Sequence, residues 1–134
     1  MCSLIRNYFT FNRLKKQMQN KRLSVFTFYD KSSVISNKTR IQRMVILRKC
    51  SIADYSYIGY NTNIYNAEIG KFCSISKDVC IGLPSHPTRF LSTSPIFVNI
   101  INGTGYTWSN RDLFNSVPER VIIGNDVWIG MKVT

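Results

Sequence analysis

The sequence of 134 residues has one histidine, four cysteines, four prolines and no run of 18 apolar residues. Without such a run it encodes no transmembrane helix of ordinary length. Its N-terminus lacks the apolar core and small-residue cleavage site of a secretory signal. No two cysteines have C-x-x-C spacing, and one histidine cannot complete a usual Cys/His zinc set. We therefore predict a cytoplasmic domain with reduced thiols and no metal.

Acidic residues are nearly absent from the first 50 positions. These positions hold 12 of the 18 Lys and Arg residues and a single acid, Asp30. Residues 51–134 hold six residues of each sign, so the net charge of +11 belongs to the N-terminal segment. Because the excess charge is confined to one end, we expect no nucleic-acid partner.

What the sequence does have is a repeat of isoleucines six residues apart, with one step of five. These residues are Ile46, Ile52, Ile58, Ile64, Ile69, Ile75, Ile81, Ile123 and Ile129. Five of them precede a glycine directly, as in Ile58-Gly59 and Ile129-Gly130. Strand alternation has a period of two and an amphipathic helix one of 3.6, so neither explains this spacing. The alternative is a β-sandwich with coincidental spacing.

Short strands joined by tight corners explain the repeat better. The isoleucines would point inward, and each glycine would supply the unusual backbone angles of a bend. Small or apolar residues four places after seven of the nine isoleucines would fit a narrow interior. These are Cys50, Ser56, Thr62, Cys73, Val79, Val127 and Val133. We predict an all-β parallel solenoid over residues 46–134, interrupted by a loop over 83–120.

Residues 1–45 are predicted to form a basic N-terminal helix and a cap for the first coil. Leu4, Tyr8, Phe11, Leu14 and Met18 fall near helical spacing, with basic residues between them. Residues 22–30 read as a strand, and its apolar side chains are candidates to cover the open end of the solenoid: Val25, Phe26, Phe28 and Tyr29. The basic face is either simply solvated or makes a peripheral contact with anionic lipid at the inner face of the membrane.

The repeat stops for 38 residues between Gly82 and Val121. Loops of this length are usually functional or disordered, and this one carries enough apolar residues to pack. We interpret it as an arm that folds against a neighbouring surface. His86 lies at the start of the arm between Pro84 and Pro87, which stiffen the backbone around it. An imidazole exchanges protons near neutral pH, as a general base must.

The blocks "GKFCSI", "HPT", "STSP" and "IGNDVWIG" resemble the hexapeptide-repeat acyltransferases, nearest to the xenobiotic acetyltransferases and their O-acetyltransferase relatives. The resemblance covers residues 46–134. It implies a left-handed parallel β-helix of triangular section, a homotrimer and acetyl-CoA as co-substrate. The family's catalytic histidine stands at the "HP" position, which implies that His86 is the general base. The acceptor would be a hydroxyl of a sugar or surface polysaccharide, or alternatively an antibiotic such as chloramphenicol or a streptogramin.

The remaining candidate residues follow from the same resemblance. Ser92, Thr93, Tyr57 and Trp108 would contact the acceptor, and Trp128, Gly130 and Lys132 would contact CoA along the coils. Each has a plainer alternative. The serine and threonine are turn residues ahead of Pro95, and the tryptophans pack in the core or an interface.

Two further expectations concern rival functions. The γ-class carbonic anhydrases share this β-helix but hold zinc with three histidines, which a chain with one histidine cannot supply. The sequence ends at "GMKVT" in mid-repeat, which suggests truncation, since the resembled family continues with further coils. The alternative to the enzyme is a truncated, catalytically impaired solenoid that acts only as a packing or binding module.

Overall fold

The computed structural model describes residues 23, 24 and 26–134. They form twelve short strands, with a single 3-10 turn at Pro95–Phe97. The strands are β1 Phe28–Tyr29, β2 Val34–Ile35, β3 Arg40–Ile41, β4 Ile46–Arg48, β5 Ser51–Ile52, β6 Tyr57–Ile58, β7 Asn63–Tyr65, β8 Ala67–Ile69, β9 Ser74–Ile75, β10 Cys80–Ile81, β11 Val121–Ile123 and β12 Trp128–Ile129. No helix in this part of the chain has the length and apolarity needed to cross a bilayer.

The strands form three parallel sheets of four strands each. Sheet I contains β1, β4, β7 and β10, sheet II contains β2, β5, β8 and β11, and sheet III contains β3, β6, β9 and β12. Consecutive strands therefore visit the three sheets in turn, and every third strand pairs with its predecessor one coil earlier. This arrangement confirms the predicted all-β parallel solenoid.

Each strand directs at least one residue into a core shared by the three sheets, and β8 and β11 direct two. The inward series runs Leu23, Tyr29, Ile35, Ile41, Leu47, Ile52, Ile58, Ile64, Ile69, Ile75, Ile81, Ile123 and Ile129. The sequence pattern placed Ile46 in this series, and this prediction is wrong by one position. The inward residue is Leu47, which is fully buried, whereas Ile46 is only half-buried. From Leu47 onward the steps are five, six and six residues, which gives a coil of 17.

The solenoid begins earlier than residue 46, where the sequence pattern placed its start. Strands β1, β2 and β3 pair in parallel with β4, β5 and β6, and Leu23 forms a bridge with Ile41. Apolar residues at six-residue steps fill the inward positions of these early coils, so residues 28–45 belong to the solenoid itself. Phe26 and Phe28, expected to cover the core, are exposed instead. The predicted helix over residues 1–22 lies outside the described residues.

Gly59 and Gly70, which follow inward isoleucines, have a different role from the one predicted. Ten residues other than glycine adopt positive φ, mostly at corners, and neither Gly59 nor Gly70 does. A Cβ on Gly59 would lie 2.6 Å from the carbonyl carbon of Ser76, and one on Gly70 would lie 2.5 Å from the oxygen of Gly124. These two glycines are therefore required because the backbone of the next coil approaches them closely.

Small buried residues at the corners join neighbouring coils through hydrogen bonds. The hydroxyls of Thr39, Ser56 and Thr62 donate to carbonyl oxygens 14 residues later, at 2.7–3.0 Å. The Ser56 hydroxyl also accepts from the backbone N–H of Cys73 at 2.9 Å. The predicted small residues thus satisfy the buried backbone of the next coil as well as fitting the narrow interior.

The chain divides into two compact units. One is the solenoid, which consists of the described residues up to Gly82 together with Arg120–Thr134. The other is Leu83–Glu119, which we call the inserted segment. Gly82 marks the departure of the chain from the solenoid with a φ of +75°, and a Cβ there would clash with the oxygen of Tyr65. A left-handed backbone at this point therefore requires glycine.

Candidate functional site

Polar contacts hold the inserted segment together. Its only buried residues are Pro87 and Val98. The Asn99 amide donates to the oxygen of Phe114 at 2.6 Å, and the Leu113 N–H donates to the oxygen of Val98 at 2.7 Å. Most of its large apolar side chains are exposed, among them Leu91, Ile101 and Tyr106. The segment is thus ordered by hydrogen bonds, whereas its apolar surface remains open.

His86 is exposed and is oriented by a backbone contact within the same segment. Its Nδ1 lies 3.3 Å from the carbonyl oxygen of Thr93. A carbonyl oxygen only accepts hydrogen bonds, so this contact is satisfied when the proton is on Nδ1. In that tautomer Nε2 carries the lone pair, as a base requires. Next to the histidine, buried Pro87 fixes the backbone.

Of the predicted acceptor residues, Thr93 contributes through its backbone. Its carbonyl oxygen contacts Nδ1 of His86 and so orients the imidazole. No side-chain motif in the sequence predicts this backbone role. The hydroxyl of Ser92 accepts a hydrogen bond from the N–H of Ser94 at 3.1 Å. This local contact is the turn role that the sequence left open for Ser92.

Trp108 packs inside the inserted segment but leaves most of its ring open. Its ring meets that of Phe97 edge-on, with 5.2 Å between centroids, and its backbone N–H donates to the oxygen of Ile96 at 2.9 Å. The side chain is still 76% exposed. One edge of the indole is therefore fixed while the rest is available to a ligand or a neighbouring subunit.

Tyr57 and the three predicted CoA residues belong to the solenoid. Tyr57 on β6 and Trp128 on β12 both lie on the outer surface of sheet III, with Ser74 of β9 between them in register. Trp128 is 78% exposed. Lys132 is exposed at the following corner, with a φ of +62°. Gly130 has no close backbone neighbour, since a Cβ there would come no nearer than 3.9 Å to the Trp128 ring.

The described cysteines are poor candidates for a covalent nucleophile. Cys50, Cys73 and Cys80 are free thiols, and the first two are buried. Burial raises the pKa of the Cys50 thiol, which donates toward the carbonyl oxygens of Arg48 and Ile64. A protonated, buried thiol is not reactive.

The sequence reasoning missed a set of contacts between cations and aromatic rings at all three corners. Each joins one coil to the next: Lys38 lies 5.1 Å from the Tyr55 ring centroid, Arg43 lies 5.4 Å from that of Tyr60, and Lys49 lies 5.6 Å from that of Tyr65. Lys38 and Arg43 lie in coils that the pattern had placed in the cap, whereas Lys49 lies within the predicted solenoid. Counting the inward series from Leu23 would have revealed them.

A cleft of about 680 Å³ opens at the same early coils. It is lined by Leu23, Ser24, Arg40, Ile41, Gln42, Arg43 and Tyr60. Its two arginines make it cationic. No motif in the sequence marked this cleft.

Comparison with protein-family models, with curated proteins and with solved structures finds no match to this chain. The class that the structure defines is the parallel β-solenoid.

Proposed function

We propose that this chain is an acetyl-CoA-dependent O-acetyltransferase with His86 as its general base and a sugar or polysaccharide hydroxyl as its acceptor. The observation that carries the proposal is the contact of 3.3 Å between Nδ1 of His86 and the oxygen of Thr93. This contact leaves Nε2 free to take a proton. The parallel solenoid and the motif resemblance of residues 46–134 favour this chemistry over other uses of an exposed histidine.

The proposed reaction is a direct transfer. Nε2 of His86 accepts the acceptor's hydroxyl proton as the hydroxyl oxygen attacks the thioester carbonyl. The C–S bond breaks, and the imidazolium returns its proton to the departing thiolate sulfur. The products are an acetyl ester and the free thiol of CoA. No residue of the chain is acylated, in keeping with the buried, protonated state of Cys50.

Trp128 and Lys132 suit the co-substrate by their chemistry. An exposed indole offers a stacking face for an adenine ring, and an exposed ammonium offers a charge for a phosphate. Gly130 lies between them in sequence and has room beside it. These three residues would hold CoA. Tyr57 and Trp108 offer aromatic faces for a sugar ring.

The open apolar surface of the inserted segment supports a homotrimer. Leu91, Ile101 and Trp108 are exposed in the single chain, which is costly for large apolar side chains unless something covers them. We propose that a neighbouring copy does so and forms one wall of the site next to His86. Sedimentation of the purified protein tests this point, and a clean monomer would contradict it.

Release of free thiol from acetyl-CoA tests the enzymatic proposal. The acceptors would be a panel of sugars, chloramphenicol and a streptogramin, so that the assay also detects an antibiotic as the substrate. We expect acceptor-dependent release that His86→Ala reduces by at least about 100-fold. Added imidazole should restore part of the activity, because it replaces a lost base but not a lost fold. The absence of release with every acceptor, together with no CoA binding by calorimetry, would favour a packing module.

A further inference from the structure

The outer surface of sheet I changes character along the solenoid. At the corner before this sheet the successive coils carry Phe26, Met44, Asn61 and Asp78, one above the other. At the first outward position of its strands they carry Phe28, Ile46, Asn63 and Cys80, in register. Both columns are thus apolar in the first two coils and mostly polar afterwards. Since the fold accepts asparagine at these positions, the apolar residues are not a requirement of the solenoid.

These apolar side chains form one contiguous strip, which consists of Phe26, Phe28, Met44 and Ile46. The backbone N–H of Met44 donates to the oxygen of Phe26 at 3.1 Å, and Phe28 pairs with Ile46 across β1 and β4. Phe26, Phe28 and Met44 are 60%, 48% and 54% exposed. An exposed strip of this kind marks a surface that contacts an apolar phase or partner.

Cations lie at the corners on both sides of the strip. Arg43 stands at the corner before sheet I, Arg48 is the exposed last residue of β4, and Lys31 and Lys49 stand at the corner after the sheet. All four are exposed. None of them forms an ion pair with a carboxylate in the described part of the chain, where only Lys38 and Arg120 do so. The strip is therefore apolar along its middle and positively charged along both margins.

The charge is confined to the same coils as the strip. Residues 26–49 carry six cations and one acid, Asp30, whereas residues 50–82 carry two cations and three acids. Asp30 offsets only one of the six positive charges, and hydrogen bonds from the hydroxyls of Ser32 and Ser33 and from the N–H of Lys49 hold its carboxylate at the corner. The solenoid thus has one strongly basic end.

We propose that this surface docks peripherally on an anionic phospholipid bilayer. Aromatic and apolar side chains enter the headgroup boundary, and the flanking cations meet lipid phosphates and carboxylates. A polyanion such as a nucleic acid would match the cations but would leave the strip exposed. The combination of both features is what favours a bilayer. This inference concerns the solenoid alone and does not depend on the proposed catalysis.

Flotation of the full chain with vesicles tests the proposal. We expect binding to phosphatidylcholine vesicles that contain phosphatidylserine to exceed binding to pure phosphatidylcholine by at least about tenfold, and to fall sharply in high salt. The double variant Arg43→Gln/Arg48→Gln should bind at least about fivefold more weakly, since each cation near an anionic surface is worth about a factor of five.

A second double variant tests the apolar strip. Phe26→Asn/Met44→Asn places at both positions the residue that Asn61 already supplies in the same column, so the fold should be retained. We expect at least about fivefold weaker vesicle binding with an unchanged melting temperature. The matched control is Phe72→Asn/Lys71→Gln/Lys77→Gln, which removes one exposed corner aromatic residue with positive φ and two cations from later coils. It should bind as the original chain does.

Several results would overturn the proposal. One is the absence of preference for anionic vesicles, and another is equal weakening by the control. Binding that survives both double variants and disappears only when residues 1–22 are removed would assign the contact to that segment. A shift of Phe26→Asn/Met44→Asn from oligomer to monomer, without vesicle binding by the original chain, would assign the strip to a subunit interface.

Discussion

At the residue scale, Gly59 and Gly124 both follow an inward isoleucine but meet different surroundings. A Cβ on Gly59 would lie 2.6–2.7 Å from backbone atoms of Ser76 and Lys77, whereas one on Gly124 would have no heavy atom within 4 Å. Backbone cannot give way as a flexible side chain can. We expect Gly59→Ala to lower the free energy of unfolding by about 1–3 kcal/mol.

Gly124→Ala is the matched control, because it also removes a glycine from an Ile-Gly pair. It should leave stability within about 0.5 kcal/mol or raise it slightly, since alanine restricts the unfolded chain. Urea denaturation followed by circular dichroism compares the two. Equal losses in both variants would mean that glycine is needed for its backbone angles after all.

Asp30 gives the early coils a pH dependence. Burial alone would raise the pKa of its carboxyl, but hydrogen bonds from Ser33, Ser32 and the N–H of Lys49 outweigh that effect and lower it. A carboxyl with a lowered pKa in the folded state stabilises the fold above its unfolded pKa of about 3.9, and this stabilisation is lost as pH falls through the folded value.

Asp30→Asn should therefore cost about 0.5–1 kcal/mol at pH 7, a modest amount because the carboxylate is largely open to solvent. The difference between the variant and the original chain should shrink below pH 4. Melting temperatures between pH 3 and pH 8 would show this convergence. A difference that stays constant down to pH 3 would contradict the assignment.

At the element scale, the register of β4 separates two adjacent apolar residues. Leu47 is fully buried in the core, whereas Ile46 is half-buried and pairs with Phe28 on the outer surface. Leu47→Ala should cost about 2–5 kcal/mol because it leaves a cavity. Ile46→Ala should cost less than about 1 kcal/mol. Chemical denaturation of both variants distinguishes them, and a reversed order would support the register read from isoleucine spacing.

The displaced register shows what the sequence could reveal about the fold. Isoleucine spacing predicted the solenoid because an inward β-branched residue recurs in nearly every strand. The glycine that marked later coils is missing from the early ones, because Tyr29, Ile35 and Ile41 are followed by Asp30, Ser36 and Gln42. Only the six-residue step from Ile35 to Ile41 marks these coils. Close approach between coils selects glycine at some of these positions only.

The candidate site was predictable only in part. The two prolines and the break in the repeat drew attention to His86, but its partner is a backbone oxygen seven residues away in an irregular segment. Backbone carbonyls have no signature in the sequence, because every residue has one. The predicted side-chain role of Thr93 could therefore not be distinguished from a backbone role until the conformation of the segment was known.

At the scale of the whole molecule, the inserted segment interrupts a coil without changing its geometry. Leu83–Glu119 comprises 37 residues, and its removal would leave Ile81 and Ile123 five residues apart in sequence. Leu47 and Ile52 are also five residues apart, as are Ile64 and Ile69, at the corresponding steps of earlier coils. In the shortened chain the pairing of β11 with β8 would keep its register.

We therefore expect the variant that lacks residues 83–119 to fold into the same solenoid. Its β-sheet circular dichroism per residue should be at least that of the full chain, and urea unfolding should remain cooperative.

The control variant lacks residues 83–120, one residue more than the first deletion. This leaves a four-residue step between Ile81 and Ile123, which no other coil uses. A one-residue slip turns the side chains of a strand to the opposite face, so β11 should detach and stability should fall. Equal stability of the two deletions would show that the last coil does not depend on this register. Failure of both to fold would mean that the solenoid requires the inserted segment.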